Sequence, residues 1–243
     1  MNLEVVLNTY ERKARYLPAV WTVSPILIWL YLWFPEIRSL EGTFISLIIG
    51  LGISIPLSIL ARTLGKKEQN KLLLKWGALP ATLILRNSDE SLNKETKTRY
   101  HQRLSVLTNM DIPSHEKELE DPKDALQKFD SCIDFLRQRT RDKAKYSLVF
   151  NENVSYGQAR NLLGLKPIGL LICVILIAIQ FFSIYKNYGI GFNISAVQIL
   201  ETISFIITLL FLLFWIFFVS TKQVYTAGVN YGKALLECCE HFE

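Results

Sequence analysis

No charged side chain lies deep within any of the four long apolar runs of this sequence. Ion- and proton-coupled transporters keep ionisable groups inside their spans, because those groups form the relay, so that class is disfavoured. Glycine-rich phosphate loops, HExxH zinc signatures and nucleophile elbows are missing too, and no enzyme is expected. Histidine is scarce: His101, His115 and His241. His101 stands in a charged helix, where a histidine is usually solvated or locally bonded; catalysis with a nearby carboxylate is open but nothing requires it. His115 beside Glu116, Glu118 and Glu120 reads as a loop rather than a metal site. The four cysteines, Cys132, Cys173, Cys238 and Cys239, lack metal-ligand spacing, and three would face a reducing cytosol. Neither disulfide, metal nor cofactor is expected.

What the sequence has is apolar length. Half of its 243 residues are hydrophobic, divided between long apolar blocks and a charged middle. A run of 18 or more apolar residues crosses a hydrocarbon core of roughly 30 Å. Four runs qualify, at about Tyr16–Phe34, Thr43–Leu60, Pro167–Tyr185 and Ile199–Ser220. Pro18 and Pro25 should bend the first, which bilayer helices tolerate when neighbours re-satisfy the freed carbonyls. Pro167 reads as a first-turn residue.

Orientation follows from positive charge near the ends of the runs. Arg12, Lys13 and Arg15 precede the first; Arg62, Lys66, Lys67 and Lys71 follow the second; Lys166 precedes the third and Lys222 follows the fourth. The two short connections offer only Arg38 and Lys186. The expected protein is therefore an all-α membrane protein. It has four transmembrane helices, both termini in the cytoplasm, and a mostly helical cytosolic domain inserted between the second and third spans. Its parts are a first transmembrane pair (1–60), the cytosolic domain (61–166), a second pair (167–221) and an amphipathic C-terminal helix (222–243).

In the second run, Ser46, Gly50, Ser54 and Ser58 recur every four residues and form one small, weakly polar stripe. Such a stripe is either a tight helix–helix seam or a pore-lining face in an oligomer. Glu201, at the outer start of the fourth run, either rings a pore mouth or is a solvated carboxylate favoured by the helix dipole. Gln180 is the one strongly polar side chain well inside the third run.

From Ala61 to Lys166 there are 20 Lys and Arg against 14 Asp and Glu, a balance of +6. Expected here are a continuation of the second helix to Trp76, stopped by Gly77 and Pro80, and a helix capped by Ser88 or Asp89 that carries Tyr100 and Leu104. Asp111–Asp121 reads as a polar loop. Asp121-Pro122 reads as cap and first-turn proline of a helix burying Ala125, Phe129, Ile133 and Leu136. Tyr146–Phe150 reads as a strand or docking segment, and Asn153–Leu163 as a helix ended by Gly164. Arg86, Arg99, His101, Arg103, Arg137, Arg139, Arg141 and Arg160 stand among Tyr100, Tyr146 and Tyr156. Arginine clamps phosphate bidentately and tyrosine stacks on bases, which suits a short nucleotide ligand. Salt bridges with the acidic residues and contacts with lipid headgroups would use the same side chains.

The segments WGALPATLILRNSDESLNKETKTRYHQRL (Trp76–Leu104), TRD (Thr140–Asp142) and NENVSYGQARNLLGLKP (Asn151–Pro167) resemble a bacterial family of small membrane proteins. That family supplies the membrane effector of Hailong-type anti-phage defence. Tyr156-Gly157, Arg160-Asn161-Leu162 and Gly164-Leu165-Lys166-Pro167 are the most specific part, and the chain departs from the pattern at Ala81, Gln158 and Ala159. The resemblance implies a ligand-gated homotetrameric channel, closed at rest and opened by infection, paired with a nucleotidyltransferase that makes short oligodeoxyadenylate. It adds Asn161 to the candidate ligand residues. The alternative is a non-conducting membrane anchor or scaffold that recruits a soluble partner.

Overall fold

The computed structural model describes residues 9–189 and 198–242, without the side chains of 40, 44, 46, 47, 49 and 51. It is 85% helical, with no strand among the described residues. The helices are α1 (Thr9–Trp33), α2 (Leu40–Trp76), α3 (Pro80–Leu83), α4 (Lys94–Thr108), α5 (His115–Glu120), α6 (Pro122–Arg139), α7 (Ser147–Tyr188), α8 (Ile199–Phe218) and α9 (Thr221–Cys238). Three of them, α1, α7 and α8, are long and apolar enough to cross a membrane. The second apolar run lies in the 37-residue α2.

The chain divides into two units, Met1–Glu68 with Gly157–Ser220, and Gln69–Tyr156 with Thr221–Glu243. The boundaries fall inside α2 and α7, so each of these helices belongs partly to both.

In the first, apolar unit, small residues set the packing. A Cβ on Gly50 of α2 would lie 2.6 Å from Leu27 Cδ1 of α1. A Cβ on Gly164 of α7 would lie 2.5 Å from the Gly65 nitrogen of α2, and one on Gly169 would collide with the Trp215 indole of α8. Glycine at each crossing lets the backbones approach, the means by which helices associate without a hydrophobic drive between them. Around these crossings Ala61, Leu165, Cys173, Trp215 and Val219 form a buried cluster. Lys166 Nζ donates to the carbonyls of Ile216 (3.1 Å) and Val219 (2.7 Å), satisfying the end of α8 where a cation also meets the negative pole of the helix.

Prolines leave carbonyls that need partners. Pro18 has no N–H for the Ala14 carbonyl one turn back, where α1 widens into a π-turn at Arg12–Tyr16. Asn161 Nδ2 of α7 supplies the missing donor at 2.7 Å. Asn161 is fully buried.

In the second, polar unit the amphipathic stripes meet. Ile84 and Leu85, Leu104 of α4, Phe129, Ile133 and Leu136 of α6, and Leu235, Leu236 and Cys239 at the end of α9 form one core. Gly228 and Gly232 seat α9 on Pro80 and Ala81 of α3. The C-terminal helix is thus part of the polar unit's core rather than an appendage.

Several expected boundaries move. Gly164 and Pro167 do not interrupt α7, which runs unbroken through both; Gly164 is needed for the α2 crossing, not for a stop. Tyr146–Phe150 is not a strand: Ser147 opens α7. Asn93, not Ser88 or Asp89, caps α4, accepting from the Thr96 N–H at 2.8 Å. The Asp89 carboxylate instead accepts from the Ser91 N–H, and its carbonyl from Lys97 Nζ. The Asp111–Asp121 loop contains the one-and-a-half-turn α5. The Asp121 cap is as expected, with Oδ1 accepting from the N–H groups of Lys123 and Asp124. Gly77 stops α2 with φ +88°, the left-handed backbone glycine tolerates.

Candidate functional site

The arginine and tyrosine residues singled out by sequence separate into four environments. Arg86 is committed to structure. Its Nε donates to Glu118 Oε1 at 2.7 Å, and Glu118 Oε2 accepts from the Asn87 N–H and Nδ2, both at 2.8 Å. Burial alone would raise the Glu118 carboxyl, but these hydrogen bonds and the Arg86 charge hold it below the usual carboxylate range. His101 Nε2 donates to the Leu85 carbonyl at 2.8 Å, and its ring stacks on Phe129. Burial lowers its pKa, with Lys97 adding to the effect, against the raising influence of the Leu85 bond. The imidazole is therefore neutral and structural at neutral pH.

Beside it lies a cavity of about 620 Å³ lined by Asn87, Asp89, Asn93, Lys97, His101 and His115 among others. Lys97 escaped the sequence reading. It is 6% exposed, and Nζ donates to the Arg86 carbonyl at 2.6 Å and to that of Asp89. Burial lowers its pKa despite Asp89, Glu118 and Glu90 nearby. The signal was faint, one lysine on the apolar side of an otherwise charged helix.

The second environment faces the chain end. Arg99 pairs with Glu240 at 2.5 Å, and Arg103 Nε donates to the Cys239 carbonyl at 3.2 Å. Tyr156 is buried in a parallel stack on Tyr231, centroids 6.4 Å apart. A ring so placed is not presented to a nucleobase.

The third environment is the corner between α6 and α7. Arg137, Arg139, Arg141, Lys143 and Lys145 are all exposed within nine residues of chain. Arg137 pairs with Asp134 at 2.9 Å; Arg139 lies over the Phe135 ring at 5.0 Å. Lys143 and Lys145 sit over Phe150 and Tyr146. All five cations are solvent-facing, and the Arg137 ion pair is with an exposed carboxylate.

Arg160 and Asn161 belong to the other, apolar unit, where Arg160 Nε donates to Asn161 Oδ1 at 3.4 Å. Asn161 is used up by the Ala14 carbonyl. Among the described residues, the candidate ligand residues of the polar unit do not share one pocket.

Of the small-residue stripe, the Ser46 side chain lies outside the described residues. Gly50 and Ser54 are buried, the latter donating to the Gly50 carbonyl at 2.8 Å, while Ser58 is half-buried and donates to Ile55. At Gly50 the stripe meets Leu27 of α1. Glu201 is not solvated: it is 9% exposed and accepts from the Tyr188 hydroxyl at 3.1 Å. One and two turns on, Ser204 and Thr208 are also buried, and Gln180 Nε2 of α7 donates to Thr208 Oγ1 at 3.0 Å. Glu201, Ser204 and Thr208 stand at i, i+3 and i+7, so this polar face was readable from spacing.

No family model, no curated protein and no solved structure matches the chain.

Proposed function

We propose that the chain is the subunit of an oligomeric ion channel in a bacterial inner membrane, gated through its polar unit. On this reading α1, the apolar part of α2, α7 and α8 are four spans, and the polar unit and both termini are cytoplasmic. The basic residues that flank the spans, from Arg12 to Lys222, support that orientation. The observation that carries the proposal is helix continuity. Both α2 and α7 run without a break from the apolar unit into the polar one. A ligand that favours one arrangement of the polar unit then biases two spans directly, with no flexible linker to dissipate its binding energy.

The α6–α7 corner is where such a ligand would act. Arg137, Arg141 and their neighbours immediately precede the first turn of α7. Short single-stranded oligodeoxyadenylate, the ligand implied by the resemblance to Hailong-type effectors, offers the closely spaced phosphates that exposed guanidinium groups clamp. Four subunits would surround a pore, and its opening during infection would depolarise the host. The test is current across a planar bilayer containing the purified protein, with and without short oligodeoxyadenylates on the side of the polar unit. Ligand-dependent conductance is expected.

A second reading, a non-conducting anchor that recruits a soluble partner, gains from the seam at Gly50. On this reading the stripe that meets Leu27 of α1 at Gly50 serves to pack α2 rather than to line a pore. Folded oligomer that conducts under no condition, together with one stoichiometric soluble partner in a pull-down, would establish it.

A further inference from the structure

Within the apolar unit, α1, the start of α2 and α8 enclose a groove of about 390 Å³ whose lining is almost wholly hydrocarbon. Leu27, Ile28, Tyr31 and Leu32 of α1, Thr43 of α2, and Ile203 and Ile207 of α8 line it. The volume falls in the range of small-molecule sites, and the groove opens on helices of membrane-crossing length. At its Leu32–Thr43 end stands the connection between α1 and α2. That turn is held by hydrogen bonds from Ser39 Oγ to the Glu36 carbonyl, from the Gly42 N–H to Ser39 Oγ and from Thr43 Oγ1 to the Ile37 carbonyl, each at 3.0 Å. Gly42 is required there, since a Cβ would lie 2.7 Å from the Glu36 oxygen.

The turn presents three exposed charges, Glu36, Arg38 and Glu41, and no ion pair joins them among the described residues. Arg38 Nη2 donates to the Leu32 carbonyl at 3.4 Å, which places the guanidinium beside a residue of the groove wall. Trp29, Trp33 and Phe34 cluster at the same level, the aromatic arrangement of a membrane interface. One cation flanked by two carboxylates does not complement an anionic headgroup. It complements a zwitterion that carries a phosphate and a primary ammonium.

We propose that this groove is a binding site for a single zwitterionic phospholipid of the phosphatidylethanolamine type. One acyl chain lies between α1 and α8, the phosphate meets Arg38, and the ammonium meets Glu36 and Glu41. The site rests on α1 and α8 lying in a bilayer and not on conduction, so its failure would leave the channel proposal untouched. Charge separates this occupant from a second copy of the chain, which would bring the same turn and the same net negative charge to the contact.

The experiment uses the full chain in nanodiscs of equimolar phosphatidylethanolamine and phosphatidylglycerol, released into native mass spectrometry. Wild type should retain phosphatidylethanolamine selectively. Arg38→Gln should reduce retention of either lipid by about tenfold, the factor that corresponds to 1.4 kcal/mol. The double variant Glu36→Gln/Glu41→Gln should keep lipid but lose the preference between headgroups. Ile207→Trp, which fills the groove, should abolish retention. The charged positions are exposed, so their variants keep the fold even if Ile207→Trp does not. Equal retention of the two lipids that is indifferent to Arg38 and the carboxylates would overturn the proposal. So would a lipid-free dimer that dissociates in Ile207→Trp, because it would make a second copy the occupant.

Discussion

Gly65 and Asn161 touch where α2 crosses α7, so closely that a Cβ on Gly65 would collide with the Asn161 side chain. The same asparagine donates to the carbonyl that Pro18 leaves open in α1. One side chain therefore ties three helices. Asn161→Ala strands the Ala14 carbonyl in an apolar setting and should destabilise the protein by about 1–3 kcal/mol. Gly65→Val overpacks the crossing and should cost about 1–3 kcal/mol. Thermal unfolding in detergent checks both, and Asn161→Ala without a loss of stability would remove the tie.

The Gln180–Thr208 bond gives an asymmetric pair of variants. Thr208 Oγ1 also donates to the Ser204 carbonyl, so Gln180→Leu leaves the hydroxyl satisfied. Among the described residues Gln180 Oε1 has no partner, so its removal breaks no bond. Thr208→Val instead leaves the whole Gln180 amide buried and unpaired. Gln180→Leu should be near neutral, and Thr208→Val should lose about 1–3 kcal/mol. Denaturation in mixed micelles should rank them in that order.

Acid should weaken the polar unit through Glu118. Its folded pKa lies below the ordinary 4.5, so its stabilising contribution is complete above that pH and is lost as pH falls through the lower folded value. Glu118→Gln should flatten this acid limb of the stability profile while lowering stability at neutral pH. An unchanged acid limb in the variant would assign the effect to other carboxylates.

His101 should act at milder pH. Its folded pKa is lowered from 6.5, so the unfolded chain takes up the proton first. Stability is complete above pH 6.5 and declines as pH falls from there to the lower folded value. His101→Leu should remove that decline. Trp76, packed edge-on against Tyr225, offers a fluorescence reporter for the unit, provided the tryptophans of the apolar unit are replaced.

The corner cations should matter to ligand and not to fold. Arg137→Glu with Arg141→Glu should weaken oligodeoxyadenylate binding. It should also make the dependence of log affinity on log salt shallower, by about 0.7 for each phosphate of the single strand that is no longer neutralised. Fluorescence anisotropy across a salt series measures it. Arg99→Ala, which only breaks the exposed pair with Glu240, should leave the affinity unchanged.

Periodicity made the helices of the polar unit legible: Ala125, Phe129, Ile133 and Leu136 are all buried as their spacing required. Caps and stops were harder, because one residue type serves several needs. Gly77 stops a helix with positive φ, whereas Gly164 continues one and makes room for a neighbour. Nothing local to either residue distinguishes the two. The arginine cluster was legible as composition but not as a site. Which guanidinium finds a buried carboxylate, as Arg86 finds Glu118, depends on residues 32 positions apart.

The place of α9 in the polar core sets an order of events during synthesis. Leu235, Leu236 and Cys239 fill the centre of a unit whose other helices are made long before them, with α7 and α8 in between. Until those two helices have left the ribosome, Ile84, Leu85 and Phe129 wait with their α9-facing surface bare. The polar unit therefore completes its core only after the whole of α7 and α8 has been made, and a chain that stops short of α9 is denied a folded polar unit as well.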